Sequence, residues 1–298
     1  EMPLPTGVSE HFWILVAGGK FDFTAKWWNP DSYQKVVDHF QGKICFVQCG
    51  EAGHWHPPLR GVVNLVGKTT VRDFLRLMYH ADGVVCPVTF AMHLAAAVET
   101  KGGKKGQRPC VVVAGGREPS HWEAYPNHQY LSTSGALSCC REGGCWKSRC
   151  QLVGDGDGKD HRDLCEQPVQ LSETLRIPKC MELISSADVI GRIELYYRGG
   201  ILNEVNGKVQ PVPMEIAEEP TQDPTPMPTK SISVAFYHGL GDCAYFAHLL
   251  PLYLRRGHKI QVECTADKAI LFRAAGAEIV SKADTVHPWG YPAGGTHV

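Results

Sequence analysis

The sequence has no surplus of either charge: 30 Lys and Arg face 31 Asp and Glu, leaving a net charge of −1 at pH 7. That balance removes any global electrostatic argument for nucleic acid or an acidic membrane surface as partner. Long hydrophobic runs are missing too. The longest, such as Trp13–Ala17 and Cys110–Ala114, have the length of a strand and fall far short of the ~18–20 residues of a membrane span. No basic segment followed by an apolar one opens the chain, so it reads without an export signal and a cytoplasmic location is expected. The first residue is Glu1, not Met, so the chain is expected to be a piece of a longer protein or to have lost its start. There is no GxGxxG, no Walker A lysine loop and no GxSxG elbow, and the classes built on those motifs lose support. The 43% hydrophobic and 20% charged residues describe a folded chain, and 298 residues suggest about two domains at ~150 residues each.

Cysteine is present and unevenly spread. Cys139, Cys140, Cys145, Cys150, Cys165 and Cys180 fall within 42 residues, whereas Cys45, Cys49, Cys86, Cys110, Cys243 and Cys264 are scattered over the rest. The scattered residues sit in apolar runs and read as small buried hydrophobes. The cluster lies among Gly, Arg, Lys and Asp, where no apolar core accounts for it. Thiolates converging from a loop suit zinc or iron; a disulfide pair is the rival in an oxidising compartment. Adjacent Cys139 and Cys140 do not easily share one ion. The preferred ligand set is therefore one of that pair, Cys145 or Cys150, and Cys165 and Cys180.

Strand and helix patterns alternate through the first 200 residues. Apolar strands are expected at 13–17, 44–48, 62–66, 83–87 and 110–114. Helices are expected from Asn29 or Asp31 to about Phe40, after Thr69 or Thr70, over 91–98, and over 186–197. This is an α/β pattern with a parallel sheet covered on both faces. Six prolines between Pro211 and Pro228 mark a linker. The βα rhythm then restarts with a strand at 232–237, a turn at 238–242 and a helix over 244–256. The 68 residues after Lys230 are too few for a complete doubly wound domain of ~100 residues. The expected organisation is a first domain over 1–200 with a Cys-rich loop at 139–180, a linker over 201–230, and an incomplete second domain over 231–298.

Ligands of open α/β sheets bind beyond the carboxyl ends of strands. The candidate loops are 18–26, 50–56, 89–93 and 115–118. A helix start at Thr89 would present free amides to a diphosphate, with Lys20 and Lys26 supplying charge and Glu51 accepting from sugar hydroxyls. Each has a plainer reading: a solvated lysine, a simple cap at Thr89, a core histidine at His93. In the second domain, Gly239-Leu240-Gly241-Asp242 turns a strand into a helix. Glycine lets another molecule approach the backbone, and Asp242 is either a general base or a helix N-cap.

These residues together resemble glycosyltransferase family 9, the ADP-heptose-type heptosyltransferases of two-domain GT-B fold. The resemblance rests on Ala17-Gly18-Gly19, then Lys26-Trp27-Trp28-Asn29-Pro30, Gly50-Glu51, and Thr89 with His93-Leu94-Ala95-Ala96-Ala97. Cys180-Met181 before the closing helix and His238-Gly239-Leu240-Gly241-Asp242 add to it. The family's Asp before Thr89 is Val88 here and its Gly after it is Phe90. The family places the Gly-Asp half first, so the two halves stand here in reversed order, as in a circular permutation, a fragment of a tandem or an assembly of several chains.

The resemblance implies Rossmann-type GT-B domains and a bacterial, cytoplasmic enzyme. It would transfer a heptose-like sugar from a nucleotide-diphosphate sugar to an acceptor hydroxyl, with inversion and Asp242 as base. Gly18, Gly19, Lys20, Lys26, Gly50, Glu51, Thr89, His93, Gly115 and Gly116 would bind the donor, and Gly239 and Gly241 would shape the acceptor loop. Positive charge and helix amides would stabilise the leaving diphosphate, so no catalytic divalent ion is required. The thiolate-bound zinc or iron would be structural. Partners would be the donor and a glycan, lipid-linked or protein acceptor, with a homo-oligomer or a missing partner half completing the second domain. The alternatives are a degenerate, metal-stabilised binding module, favoured by Val88 and Phe90, and another GT-B enzyme such as a sugar-nucleotide epimerase.

Overall fold

In the computed structural model of the chain, residues 8–101, 108–202, 231–237, 239–255 and 257–286 are described. The chain divides into two units, Glu1–Met214 and Glu215–Val298. The proline-rich stretch from Pro211 to Pro228 and His238 lie outside the described residues.

The first unit is built on six strands: β1 (Phe12–Leu15), β2 (Cys45–Gln48), β3 (Val63–Asn64), β4 (Gly83–Pro87), β5 (Cys110–Gly115) and β6 (His128–Ser132). They form one sheet in the order β3-β2-β1-β4-β5-β6, with every neighbouring pair parallel. This is the doubly wound, Rossmann-type order, in which the chain reverses its direction of travel between β1 and β4. Every residue of β1, β4 and β5 is buried, which is why these strands read as unbroken apolar runs. Strand β6 is an edge strand, and after buried His128 its partly exposed Gln-Tyr-Leu-Ser has no such run.

Helices α1 (Pro30–His39), α2 (Val71–His80) and α3 (Phe90–Ala97) follow strands β1, β3 and β4. Of the two cap candidates before α1, Asn29 does the work: its side chain accepts from the Asp31 amide at 2.9 Å, with Pro30 in the first turn. Before α2 it is Thr70, which forms a capping box with Asp73. Three one-turn helices follow, α4 (Ser120–Glu123), α5 (Lys159–Arg162) and α6 (Lys179–Glu182), together with an antiparallel hairpin of β7 (Pro168–Ser172) and β8 (Leu175–Pro178). This hairpin inside the cysteine segment has no counterpart in the sequence reading. The closing helix α7 (Ser186–Arg198) packs Val189, Ile193 and Tyr196 into the same core as Tyr33, Val36 and Val37 of α1. Tyr196 ties it to the sheet, its hydroxyl accepting from the amides of Cys110 at 3.2 Å and Gln129 at 3.1 Å.

Two buried polar side chains lie at the end of the sheet opposite the strand-end loops. Arg108 is fully buried and donates to carbonyls at the C-terminal ends of two helices, Ala81 beyond α2 and Val98 and Glu99 beyond α3. A cation there meets the carbonyls that end each helix. His128 is buried with neither ring nitrogen hydrogen-bonded among the described residues. Burial, with Arg108 adding repulsion, pushes its pKa down to about 4. An unfolded histidine titrates near 6.5, so below that pH the unfolded chain takes up a proton that the folded one refuses. Stability is therefore lost as pH falls from about 6.5 to 4, by up to about 3 kcal/mol. Urea titrations at pH 7 and pH 5 should show this loss in the wild type and a smaller one in His128→Leu.

In the second unit, β9 (Ser231–Ala235), β10 (Lys259–Glu263), β11 (Glu278–Ile279) and β12 (Thr285–Val286) form a parallel sheet in the order β11-β10-β9-β12. Helices α8 (Leu240–Arg255) and α9 (Ala269–Ala274) cross between strands. The stacked rings of Phe236 and Phe246, 4.6 Å apart, and Phe272 supply its core. Helix α8 begins at Leu240 and not at Ala244, so Asp242 lies in its first turn and does not cap it from outside.

Candidate functional site

The reversal point of the first sheet lies between the carboxyl ends of β1 and β4, and the loops there carry most of the candidate residues. After β1 the chain passes Gly18 and Gly19, both at positive φ, into a 3-10 segment, Phe21–Lys26. Buried Trp27 and Trp28 anchor the end of this loop, Trp28 through an indole bond of 2.8 Å to the Ile184 carbonyl. The Lys26 ammonium lies 2.8 Å from the carboxylate of Glu118, just beyond β5. Because β4 lies between β1 and β5, the loop spans the carboxyl end of β4, from which α3 starts. Glu118 is 1% exposed and also pairs with Arg117. Lys26, Arg117 and Glu118 therefore leave one net positive charge beside that helix start. Thr89 caps α3 by accepting from the Ala91 amide at 3.4 Å.

The β2 loop is shaped by close packing. Trp55 exchanges two backbone hydrogen bonds with Gly19, at 2.8 and 3.1 Å, and its ring stacks on Trp27 at 4.2 Å. The His56 Nδ1 donates to the Ala17 carbonyl at 2.6 Å, and Gln48 at the end of β2 donates to the Pro57 carbonyl at 2.8 Å. Residues 50–57 thus cross the ends of β1 and β2. A Cβ on Gly18 would lie 2.1 Å from the Trp55 carbonyl oxygen, and one on Gly50 would lie 2.2 Å from the His56 ring. Tight loop packing accounts for these glycines. Lys20 is exposed, and Glu51 is 68% exposed beside His54 at 3.5 Å. His93 is buried in α3 with its Nδ1 2.9 Å from the Tyr125 hydroxyl, as a core histidine would be. Val88 is buried at the end of β4, and the Phe90 ring lies 6.2 Å from Phe74.

The cysteine segment folds over the carboxyl end of β5. Cys145 and Trp146 donate backbone bonds to the carbonyls of Gly116 and Arg117. Cys139, Cys140, Cys145, Cys165 and Cys180 line one small cavity of about 10 Å³, with Ala25 and Gly116 also in its wall. Cys150 joins from the side by hydrogen-bonding Cys165, which pulls the Cys165 thiol down to about 7. Burial pushes Cys139 up to about 11 and Cys180 up to about 12. Gly115 and Gly116 belong to this assembly: a Cβ on Gly115 would meet Met181 Sδ at 2.6 Å, and one on Gly116 would meet Cys140 Sγ at 2.9 Å. The donor set is all thiol, it surrounds a space of single-ion size, and its chemistry fits zinc or iron. No three of these sulfurs lie within 4.8 Å of one another, against the about 3.8 Å spacing of a tetrahedral thiolate site. Among the described residues the one trio of His, Cys, Asp or Glu ligand atoms within 4.8 Å of one another is Asp22, Asp155 and Asp157.

That trio already faces cations. Arg149, fully buried, reaches its Asp22 and Asp155 at 2.7 Å and, outside the trio, Asp160 at 2.7 Å, while Asp157 lies 4.0 Å from Arg149 and 2.6 Å from Lys159. Asp160 also accepts from the amides of Val153 and Gly154. Neither Arg149 nor these aspartates carries a sequence signal beyond charge. In the second unit, half-buried Asp242 sits in the first turn of α8, with one carboxylate oxygen 3.2 Å from where a Cβ on Gly239 would be.

Residues 6–141 match the family model of glycosyltransferase family 9 (heptosyltransferase). The matched segment, 136 of the 298 residues, is similar to that family. It runs from before β1 to the first two cysteines and contains Gly18, Lys26, Glu51, Thr89, His93 and Gly116; the remaining clustered cysteines and the second unit lie beyond it. No curated protein matches the chain. Among solved structures, E. coli ADP-heptose LPS heptosyltransferase II is 14% identical, covering 65% of this chain and 49% of its own, with a TM-score of 0.42. A family 9 glycosyltransferase from Veillonella parvula is 15% identical, covering 65% and 48%, with a TM-score of 0.41. The iron-containing dodecameric glycosyltransferase TibC from enterotoxigenic E. coli is 16% identical, covering 67% and 48%, with a TM-score of 0.42. The chain spans about half the length of these structures. Among the described residues no helix is long and apolar enough to cross a membrane.

Proposed function

We propose that this protein is a glycosyltransferase whose first unit binds a nucleotide-diphosphate sugar and whose second unit supplies the base for the acceptor. The observation that carries the reading is the junction at β4, where the Lys26 loop spans the start of α3 inside a family 9 segment. The diphosphate would lie against the α3 amides, with Lys26 and Arg117 opposite it. Glu51, exposed at the end of β2, would accept from sugar or ribose hydroxyls. The Asp242 carboxylate would take the acceptor hydroxyl proton as the oxygen attacks the anomeric carbon. The bond from that carbon to the diphosphate oxygen breaks, and its electron pair leaves on the diphosphate, inverting the centre. Lys26 and the helix amides stabilise the charge that develops there. The clustered cysteines would hold a thiophilic metal that cross-links the segment, from among Cys139, Cys140, Cys145, Cys150, Cys165 and Cys180. The family relation and the iron of TibC support that reading.

Val88 and Phe90, where the family carries Asp and Gly, favour a second reading as a binding module without catalysis. A product assay with candidate donor sugars decides between them. Under the transferase reading, Asp242→Asn lowers turnover by about 10²–10⁴-fold, the range for loss of a general base, with donor affinity unchanged. No product from either form supports the module, and turnover without an acceptor supports an epimerase.

A further inference from the structure

The loop that carries Lys26 is stitched to the cysteine segment residue by residue. Thr24 is fully buried, and its hydroxyl oxygen accepts from two amides of that segment, Cys150 at 2.7 Å and Gln151 at 3.3 Å. The Ala25 amide donates to the Ser148 carbonyl at 3.0 Å, and Ala25 itself walls the thiol cavity. Arg149 reaches back to Asp22 at 2.7 Å. Arg117 donates to the Lys147 carbonyl at 2.7 Å and pairs with Glu118, the partner of Lys26. Residues 147–151, which include Cys150, therefore touch Asp22, Thr24 and Ala25 directly and Lys26 through Arg117 and Glu118.

We propose that Thr24 is a positioning residue through which the thiol cluster sets the place of Lys26. Thr24 lies two residues before the lysine and is the point where a single side chain satisfies two amides of the cysteine segment, one buried and one partly buried. Buried amides need such partners, and a methyl group in place of the hydroxyl leaves both unmade. Any shift of Cys150, as its cluster opens or closes, is passed to Thr24 and on to Lys26. The role in donor binding rests on the function proposed above; the mechanical coupling does not.

Two measurements on the full chain test this in the wild type, Thr24→Val, Thr24→Ser, Cys165→Ser and the Thr24→Val/Cys165→Ser double variant. Amide hydrogen exchange over residues 20–27 should quicken about tenfold or more in Thr24→Val and in Cys165→Ser, and stay near wild type in Thr24→Ser. Calorimetry with ADP, GDP, UDP and CDP should show about tenfold weaker binding of the preferred nucleotide in both Thr24→Val and Cys165→Ser, with the double variant no weaker than either. Unchanged exchange over residues 20–27 in Cys165→Ser, or additive losses in the double variant, would overturn the coupling. If Thr24→Val does not fold, the exchange result for Cys165→Ser decides it. Should the wild type bind none of the four nucleotides, the donor reading fails, and the exchange data still decide whether the cluster holds the loop.

Discussion

Lys26→Ala should weaken nucleotide-diphosphate binding about tenfold to a hundredfold, while Lys35→Ala, an exposed lysine on α1, should change it little. A charge-assisted contact to phosphate is worth about 1.5–3 kcal/mol, which gives that range. The structure makes Lys26 the better candidate of the two early lysines. It is held by the buried Glu118 at 2.8 Å across the end of β4, whereas Lys20 is exposed. Its position is fixed before any ligand arrives, so less side-chain entropy is lost on binding. Stability should fall only slightly in the variant, because Glu118 keeps Arg117 as its partner. Calorimetry at two salt concentrations adds a check. The wild-type affinity should drop as salt rises, and the variant should respond less. Equal affinities in wild type and Lys26→Ala would remove the lysine from the site.

The second large effect concerns stability. Arg149→Met should destabilise the first unit by about 3 kcal/mol, because it leaves several carboxylates facing one another without their cation. Three carboxylates stand at 2.7 Å from the guanidinium, and Asp160 among them is nearly buried. Loss of the guanidinium should also loosen the link from the cysteine segment to Asp22. Ligand oxygens of Asp22, Asp155 and Asp157 lie within 4.8 Å of one another. Added calcium should therefore recover part of the lost stability in Arg149→Met and none in the wild type, since oxygen ligands of this kind suit a hard cation. Thermal unfolding with and without calcium reads this directly. Calcium stabilisation of the wild type would show that the guanidinium does not fill the cation's place.

What was legible in the sequence follows the physics of each element. Strands β1, β4 and β5 are buried on both faces, so their apolar runs announced them, and the βα alternation announced the parallel sheet. Strand β6 and the β7–β8 hairpin are half exposed and lack those runs. The glycines were visible as special positions, but their reasons are non-local. Gly18 and Gly50 are pressed by Trp55 and His56, and Gly115 and Gly116 by Met181 and Cys140, residues that spacing alone does not bring near. Lys26 stood out because of the motif around it. Its partner Glu118 lies 92 positions along the chain, and no local pattern pairs them. Thr24 gave no signal, since its partners are Cys150 and Gln151. Asp242 was visible through the glycines beside it, although the helix starts at Leu240 and not at the expected Ala244.

Titration calorimetry of the chain with ADP, GDP, UDP and CDP and their sugar conjugates tests most directly whether the first unit holds a nucleotide-sugar site at the β4–α3 junction. Saturable binding of at least one of them is expected, at one site per chain and weakened by Lys26→Ala. No binding of any nucleotide diphosphate or nucleotide sugar would contradict such a site.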